Sequence, residues 1–454
     1  MCNVYANCWL NIAATSASDG SKGLFTNRSF DDEMHPTIVE WGPPSLDGSQ
    51  ACFLKYVLEP SFFADRKLRE APLNKRGWVL QERYLSPRIL HFASGQVLWE
   101  CNTSILCERF PRALPPWLRN SCGNFSTLQY AAGHHLRYKS PSSSNISDLV
   151  DGEWYYQLWS SIVYAYSRSA LSFGSDKLIA IAGLAKVMEQ LLQDRYVVGL
   201  WEKYFVSQLL WKVAGLFMAN GSTTKPSHRP APHRAPTWSW LSLDAEIQVS
   251  QWDKTDNLFI ELLDLRIDEA ATGNAPFTCR GALVIKGRLR PLQIRRFIVK
   301  PADIDPEFFE SAMVSGRSPK PGEFDAEIRG QYVLTVGGVD LQLPSAADGT
   351  VGDKPVVSLD VPYVDVEASS RARSLFLMPA AGPWAGKDEH FHEMLILDCK
   401  DSQQGMFHRL GIATLDTKGC GSLLDYVSER DECEASLPCV TYHPEEHAHV
   451  IRLE

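Results

Sequence analysis

No run in this 454-residue chain comes near the ~20 consecutive apolar residues that cross a bilayer. The best candidate, Leu178 to Leu192, is broken by Lys186, Glu189 and Gln190. No membrane is expected as a partner. The opening Met-Cys-Asn-Val-Tyr-Ala-Asn has neither the basic segment nor the apolar core of a secretory signal, so a reducing, cytoplasmic location is expected. Basic stripes are missing too: 45 Lys and Arg stand against 54 Asp and Glu, a net charge of -9, which argues against nucleic acid as a partner. The eleven cysteines are odd in number and scattered singly, the pattern of free thiols and not of a disulfide framework. Cys2/Cys8, Cys101/Cys107 and Cys433/Cys439 are each separated by five residues, wider than a zinc knuckle, and no metal is expected. Nor is there a glycine-rich phosphate loop, a Gly-x-Ser-x-Gly elbow or a His-Glu-x-x-His. No cofactor is implied, and the residues give little support to an enzyme.

What is present is the composition of a folding chain, 44% hydrophobic and 22% charged, long enough for about two to four structural units. The Ser-rich stretch within 134–152 and the Pro-rich stretch 219–236 read as surface connections. They divide the chain into 1–133, a helical region 153–218 and a β-rich domain 237–454. The fold class expected is α+β: part of an α/β domain, then a helical middle block, then a mostly antiparallel β domain.

In the first block, Cys8 to Ala14 and Phe53 to Leu58 read as strands. Asn74 to Leu85 reads as a helix stopped by Ser86-Pro87, and Ile89 to Phe92 with Val97 to Cys101 reads as a hairpin. In the second, Leu178, Ile181, Ala182, Ala185, Met188 and Leu192 form a helical stripe with Ser175 or Asp176 as its cap. Trp154 to Ala165 and Leu200 to Gly215 are expected as neighbouring helices. In the third, 282–289, 331–336, 356–361, 374–378, 393–399, 408–414 and 449–453 are short β-branched runs punctuated by Gly, Pro, Asp or Ser, an antiparallel sandwich or barrel pattern.

The sharpest segment is Lys75-Arg76-Gly77-Trp78-Val79-Leu80-Gln81-Glu82-Arg83-Tyr84-Leu85-Ser86-Pro87-Arg88, followed by Phe92 and by Trp99-Glu100-Cys101. It resembles the closing motif of the fungal heterokaryon-incompatibility (HET) domain. The matching positions are Arg76, Gly77, Trp78, Leu80, Gln81, Glu82, Arg83, Leu85, Ser86, Arg88, Phe92, Trp99, Glu100 and Cys101. Residues 1–25 are similar to the segment just upstream in that family, and Arg234-Ala235-Pro236-Thr237-Trp238-Ser239-Trp240 resembles a later landmark of long HET proteins. The family's first-strand segments have no counterpart here, so the domain is expected to start before Met1. In such a truncated form the chain is expected to lack activity of its own and to leave the Cys8 to Ala14 strand with an open edge or uncovered apolar surface.

The resemblance implies a role in non-self recognition and programmed cell death of filamentous fungi, through protein partners that the sequence does not identify. A second possibility is a TIR-like, NAD-consuming hydrolase with a pocket glutamate. Glu82 is the weak catalytic candidate. On a helix it lies between the apolar anchors Trp78 and Leu85, where a partly buried carboxylate either pairs with Arg76, Arg83 or Arg88 or has its pKa raised. The pairing with an arginine is the favoured expectation. The terminal His443, His447 and His449 near Cys439 read as a solvated loop, and His390 and His392 as a poor ligand pair.

Overall fold

Pro87 ends a helix and opens a strand, and the first unit is arranged around that corner. A computed structural model of the chain describes residues 2–25, 37–41, 54–58, 68, 71–101, 104–112, 153–214, 227–231, 233–249, 257–268, 278–296, 332–336, 339–340, 356–361, 374–382, 391–416 and 434–454. They fall into two units: Met1–Asp151 with Ser169–Val187, and Gly152–Arg168 with Met188–Glu454. The helical block is therefore shared between the units. The connection expected at 134–152 lies outside the described residues.

In the first unit, a short helix Cys2–Ala6 precedes β1 (Asn11–Ala13). The strands β2 (Thr37–Trp41) and β3 (Leu54–Leu58) pair with each other as an antiparallel ribbon. The helix Gly77–Leu85 leads into β4 (Arg88–Phe92), β5 (Val97–Cys101) and β6 (Ser104–Cys107). The sheet order is β1-β4-β5-β6, with β1 parallel to β4 and the other pairings antiparallel. One β-α-β crossover and the antiparallel meander β4-β5-β6 thus make up this sheet. The expected helix at Asn74 begins three residues late. Leu73–Lys75 is a 3-10 turn and Arg76 is extended, because the backbone of Lys75 and Gly77 is paired with Ala170. The expected strand at 8–14 is likewise shorter, confined to Asn11–Ala13.

In the second unit, the helix Glu153–Ser167 buries Tyr156, Trp159, Ile162, Val163 and Tyr166, a stripe at spacings of three and four. These face a tryptophan-rich region where the expected helix Leu200 to Gly215 does not form. The chain instead makes β7 (Tyr196–Val197), β8 (Leu200–Trp201), the one-turn helix Phe205–Gln208 and β9 (Lys212–Val213). Trp201, Phe205, Leu209, Leu210 and Trp211 are all buried, so their spacing reflects burial on every side and not one face of a helix. Gly199 makes this possible. At φ +96° its carbonyl accepts from the indoles of Trp159 (3.3 Å) and Trp240 (2.9 Å), and a Cβ there would lie 2.6 Å from Trp240 Nε1. The expectation that 219–236 is exposed fails at its described end: Arg234 and Ala235 are buried, and the Arg234 guanidinium donates to the carbonyls of Leu241 and Leu243, both at 2.7 Å.

The remainder is β structure. β10 (Ile247–Gln248) pairs with β9. The others are β11 (Glu261–Asp268), β12 (Arg280–Gly287), β13 (Arg290–Arg296), β14 (Tyr332–Val336), β15 (Val339–Asp340), β16 (Val356–Leu359), β17 (Leu375–Ala381), β18 (Phe391–Asp401), β19 (Met406–Asp416), β20 (Thr441–His443) and β21 (Ala448–Leu453). They form one sheet in the order β11-β12-β21-β19-β18-β17-β13-β14-β15, with β16 on β19 and β20 on β21. All its pairings are antiparallel except β19 with β21. Leu292, Ile294, Leu334, Val336, Leu377, Met394 and Ile396 build one of its cores, each contributing roughly 1.5–3 kcal/mol by leaving water. The α+β class holds. Among the described residues no helix is long and apolar enough to cross a membrane.

Candidate functional site

The residues of the sharp motif converge behind β1 and β4. On β4 the side chains alternate, so Ile89 and His91 point inward, while on β5 Leu98 and Glu100 do so. The hairpin register sets Ile89 opposite Glu100 and His91 opposite Leu98, which brings the imidazole and the carboxylate diagonally together. Arg83 reaches the same point from the helix. Its Nε donates to Glu100 Oε2 at 2.9 Å and its Nη2 to Oε1 at 3.3 Å. His91 Nε2 lies 3.0 Å from Glu100 Oε2, and His91 Nδ1 lies 3.0 Å from Thr15 Oγ1, just beyond β1.

All four groups are buried, and their charges follow from one another. Burial alone would push the Glu100 carboxyl up, but the Arg83 guanidinium and the His91 ring reverse this and hold it below the usual carboxylate range. Burial lowers the His91 pKa against the opposing pull of Glu100, so the ring is neutral. A carboxylate accepts only, so Nε2 carries the ring proton, and Nδ1 accepts from the Thr15 hydroxyl.

A hydroxyl, an imidazole and a carboxylate in series have the connectivity of a hydrolytic relay. Here the hydroxyl is fully buried. The chain of bonds instead fixes the helix, the hairpin and the carboxyl end of β1 to one another. Ser86 does the same at the corner: its hydroxyl donates to the Glu82 carbonyl at 2.6 Å and accepts from Asn11 Nδ2 at 3.1 Å.

Glu82 is not where the sequence reading put it. Arg83 is committed to Glu100 and Arg88 donates to the Trp9 carbonyl at 3.4 Å, so neither holds Glu82. Its hydrogen-bond partner is the Tyr5 hydroxyl, with the Arg76 charge nearby. Burial raises the Glu82 carboxyl despite both, and burial and the Glu82 bond push the Tyr5 phenol up to about 12. The other motif residues serve packing. Trp78 Nε1 donates to Asp176 at 3.2 Å, so Asp176 serves the motif and not the expected cap. Gln81, with its amide nitrogen toward the Ala180 carbonyl (3.1 Å), accepts from the Cys2 amide at 3.2 Å. Gly183 permits that approach, since a Cβ there would overlap the Cys2 sulphur. Gly77, Leu80 and Leu85 are buried in the helix, Phe92 meets Phe25 edge-on at 5.6 Å, Trp99 is half-buried, and Cys101 Sγ lies 3.4 Å from Ser104 Oγ.

The sequence reading singled out Arg83 and Glu100 but missed His91 and Thr15. For His91 the signal was available: a histidine and a glutamate both fall on the buried face once the hairpin is aligned. Thr15 had none, because it follows a strand only three residues long.

The turn 444–447 is mostly exposed and His443 half-buried, as a solvated loop would have it, but His447 and His449 are engaged. Glu434 is buried and its carboxylate meets Arg288 (3.0 Å), Arg290 (2.8 Å), His447 Nδ1 (2.9 Å) and the Tyr442 hydroxyl (3.1 Å). Burial would raise its pKa, but His447 and the arginines bring it down to about 2. His449 Nε2 sits 2.9 Å from the Glu434 carbonyl, and the ring of His392 stacks on Phe259. His390 lies outside the described residues, among which no group of three or more His, Cys, Asp or Glu is placed to hold a metal ion.

Residues 1–82 match the family model described as heterokaryon incompatibility protein (HET). No curated protein and no solved structure matches the chain. The match takes in β1, Thr15 just beyond it, and the helix up to Glu82. This supports a role related to heterokaryon incompatibility. Over residues 1–82 the chain is similar to the heterokaryon-incompatibility family.

Proposed function

We propose that the protein acts in non-self recognition and regulated cell death of a filamentous fungus, in the cytoplasm, through contacts with other proteins. The observation that carries this reading is the closed relay of Thr15, His91, Glu100 and Arg83. The polar residues of this buried row spend their hydrogen bonds on one another, which is what a frame for presenting a surface requires and what a reaction centre does not. The surface of the same unit carries exposed apolar side chains, among them Trp9 and Phe25.

The test is inducible expression of the 454-residue chain in a filamentous host, with viability scored by dye exclusion. Growth arrest and dye uptake support the reading and overturn the inactivity expected of a truncated form. Unaltered growth at confirmed expression overturns the reading for this chain. Consumption of NAD by the purified chain would replace contact with catalysis, and would turn attention to Glu82, whose raised pKa then becomes the relevant property.

A further inference from the structure

Among the described residues β1 has a strand neighbour on one side only, β4, and it stands at the edge of its sheet. The surface beside that edge is apolar: Trp9 is 87% exposed, Val4 68%, Ile12 55% and Leu10 40%. Protected edges carry lysines, prolines or bulges. This one carries none, and residues 2–18 contain no Asp, Glu, Lys or Arg at all. The loop that presents Trp9 is fixed from behind, by Arg88 on the Trp9 carbonyl and by Ser86 on Asn11.

We propose that this edge is the contact by which two copies of the chain pair about a two-fold axis, each β1 running antiparallel to the other. Two features select a second copy as the occupant. A partner of opposite charge gains nothing here, whereas a neutral surface meets its own copy without like-charge repulsion, even in a chain of net charge -9. A strand edge is also self-complementary about a two-fold, since each donor and acceptor finds its counterpart on the copy.

The size of the patch sets the strength. Trp9 alone leaves on the order of 200 Å² of side chain in water, and the four side chains together leave roughly 400 Å², within the range of functional patches on monomers. Two copies would bury about twice that, plus backbone, close to the ~1,000 Å² at which specific interfaces begin. An interface of that size belongs to the weak, transient class. This gives the protein-contact reading a partner and rests on that reading for its biological role, but the two fail separately. Dimerisation is read in solution and cell death in the host.

The experiment is sedimentation velocity of the full chain from about 1 to about 100 µM, with Trp9→Lys and Ile12→Lys as variants and Val440→Lys, exposed in the second unit, as control. The wild type and the control should pass from monomer to dimer within that range. Each β1 variant should weaken the dimer at least about tenfold without a change in melting temperature, both side chains being exposed. A wild type that stays monomeric throughout, an open-ended assembly, or a dimer indifferent to both variants would overturn the proposal. Should a variant melt early, the wild-type concentration series still decides.

Discussion

One buried cluster of the first unit and two of the second hold charge in opposite ways. The first is balanced: one guanidinium, one carboxylate, a neutral ring and a hydroxyl in a row. Each of the two in the second sets two arginines against one carboxylate. Asp360 is shared by Arg229 and Arg409, and Glu434 by Arg288 and Arg290. The surplus is met by dipoles and a ring, since Arg229 donates to the Arg409 carbonyl at 3.0 Å, Arg409 donates to the Trp211 carbonyl, and the Arg409 guanidinium lies 3.5 Å above the Trp211 ring. A balanced row tolerates little change in protonation, whereas a surplus of arginine tolerates little loss of a carboxylate.

The largest effect should come from the surplus. Asp360→Ala leaves two buried guanidiniums without their anion, and since breaking one such pair costs about 3–5 kcal/mol, the second unit should fail to fold. Loss of the near-ultraviolet signal of its buried tryptophans is the measurement. Retention of that signal would mean that the carbonyls alone carry the surplus. Next, Glu100→Gln strands a single guanidinium and should cost about 3–5 kcal/mol, read as a lower urea midpoint.

Acid should distinguish the units less sharply. His91, His408 and His449 all have pKa values lowered by burial, His408 to about 4. The unfolded chain therefore binds more protons below the ordinary histidine value. The stability that each neutral ring contributes is complete above about pH 6.5 and is lost as the pH falls through the folded value, by at most ~1.4 kcal/mol per pH unit for each ring. With two such rings against one, the second unit should lose stability more steeply on acidification. His91→Gln should flatten the first unit's pH profile and leave the second's unchanged. Glu434, held down to about 2, adds stability above the ordinary carboxylate value that disappears only as the pH falls toward 2. The smallest effect should be Glu82→Gln, within ~1 kcal/mol, since an amide oxygen accepts from Tyr5 as a carboxylate does. A loss as large as that of Glu100→Gln would show that Glu82 belongs to the buried row after all.

These contrasts also mark where one-dimensional reading succeeds. The hairpin after Pro87 and most of the late strands were legible, because β-branched runs bounded by turn residues admit few alternatives. β6, β11, β13 and β20 were not, being short, polar or interrupted by Pro291. The segment from Leu200 misled for a different reason. Residues buried on every side satisfy a helical spacing by density alone, and the left-handed Gly199 that breaks the run gives no sign of the two indoles it must accept. For Glu82 the half-buried setting was legible and the Tyr5 partner was not, because three arginines within thirteen positions leave the choice to tertiary geometry.

β21 lies between β12 and β19, yet it is separated from β12 by the 160 residues between Gly287 and Ala448. During synthesis β12 therefore emerges from the ribosome with one edge unpaired and waits for its neighbour. At roughly 5–20 residues per second that wait lasts roughly 10 to 30 s. Throughout it, Leu283 and Ile285 sit on a strand that any passing β segment can extend. The nascent chain thus has a defined interval in which this edge is open to mispairing, and that interval closes when β21 docks.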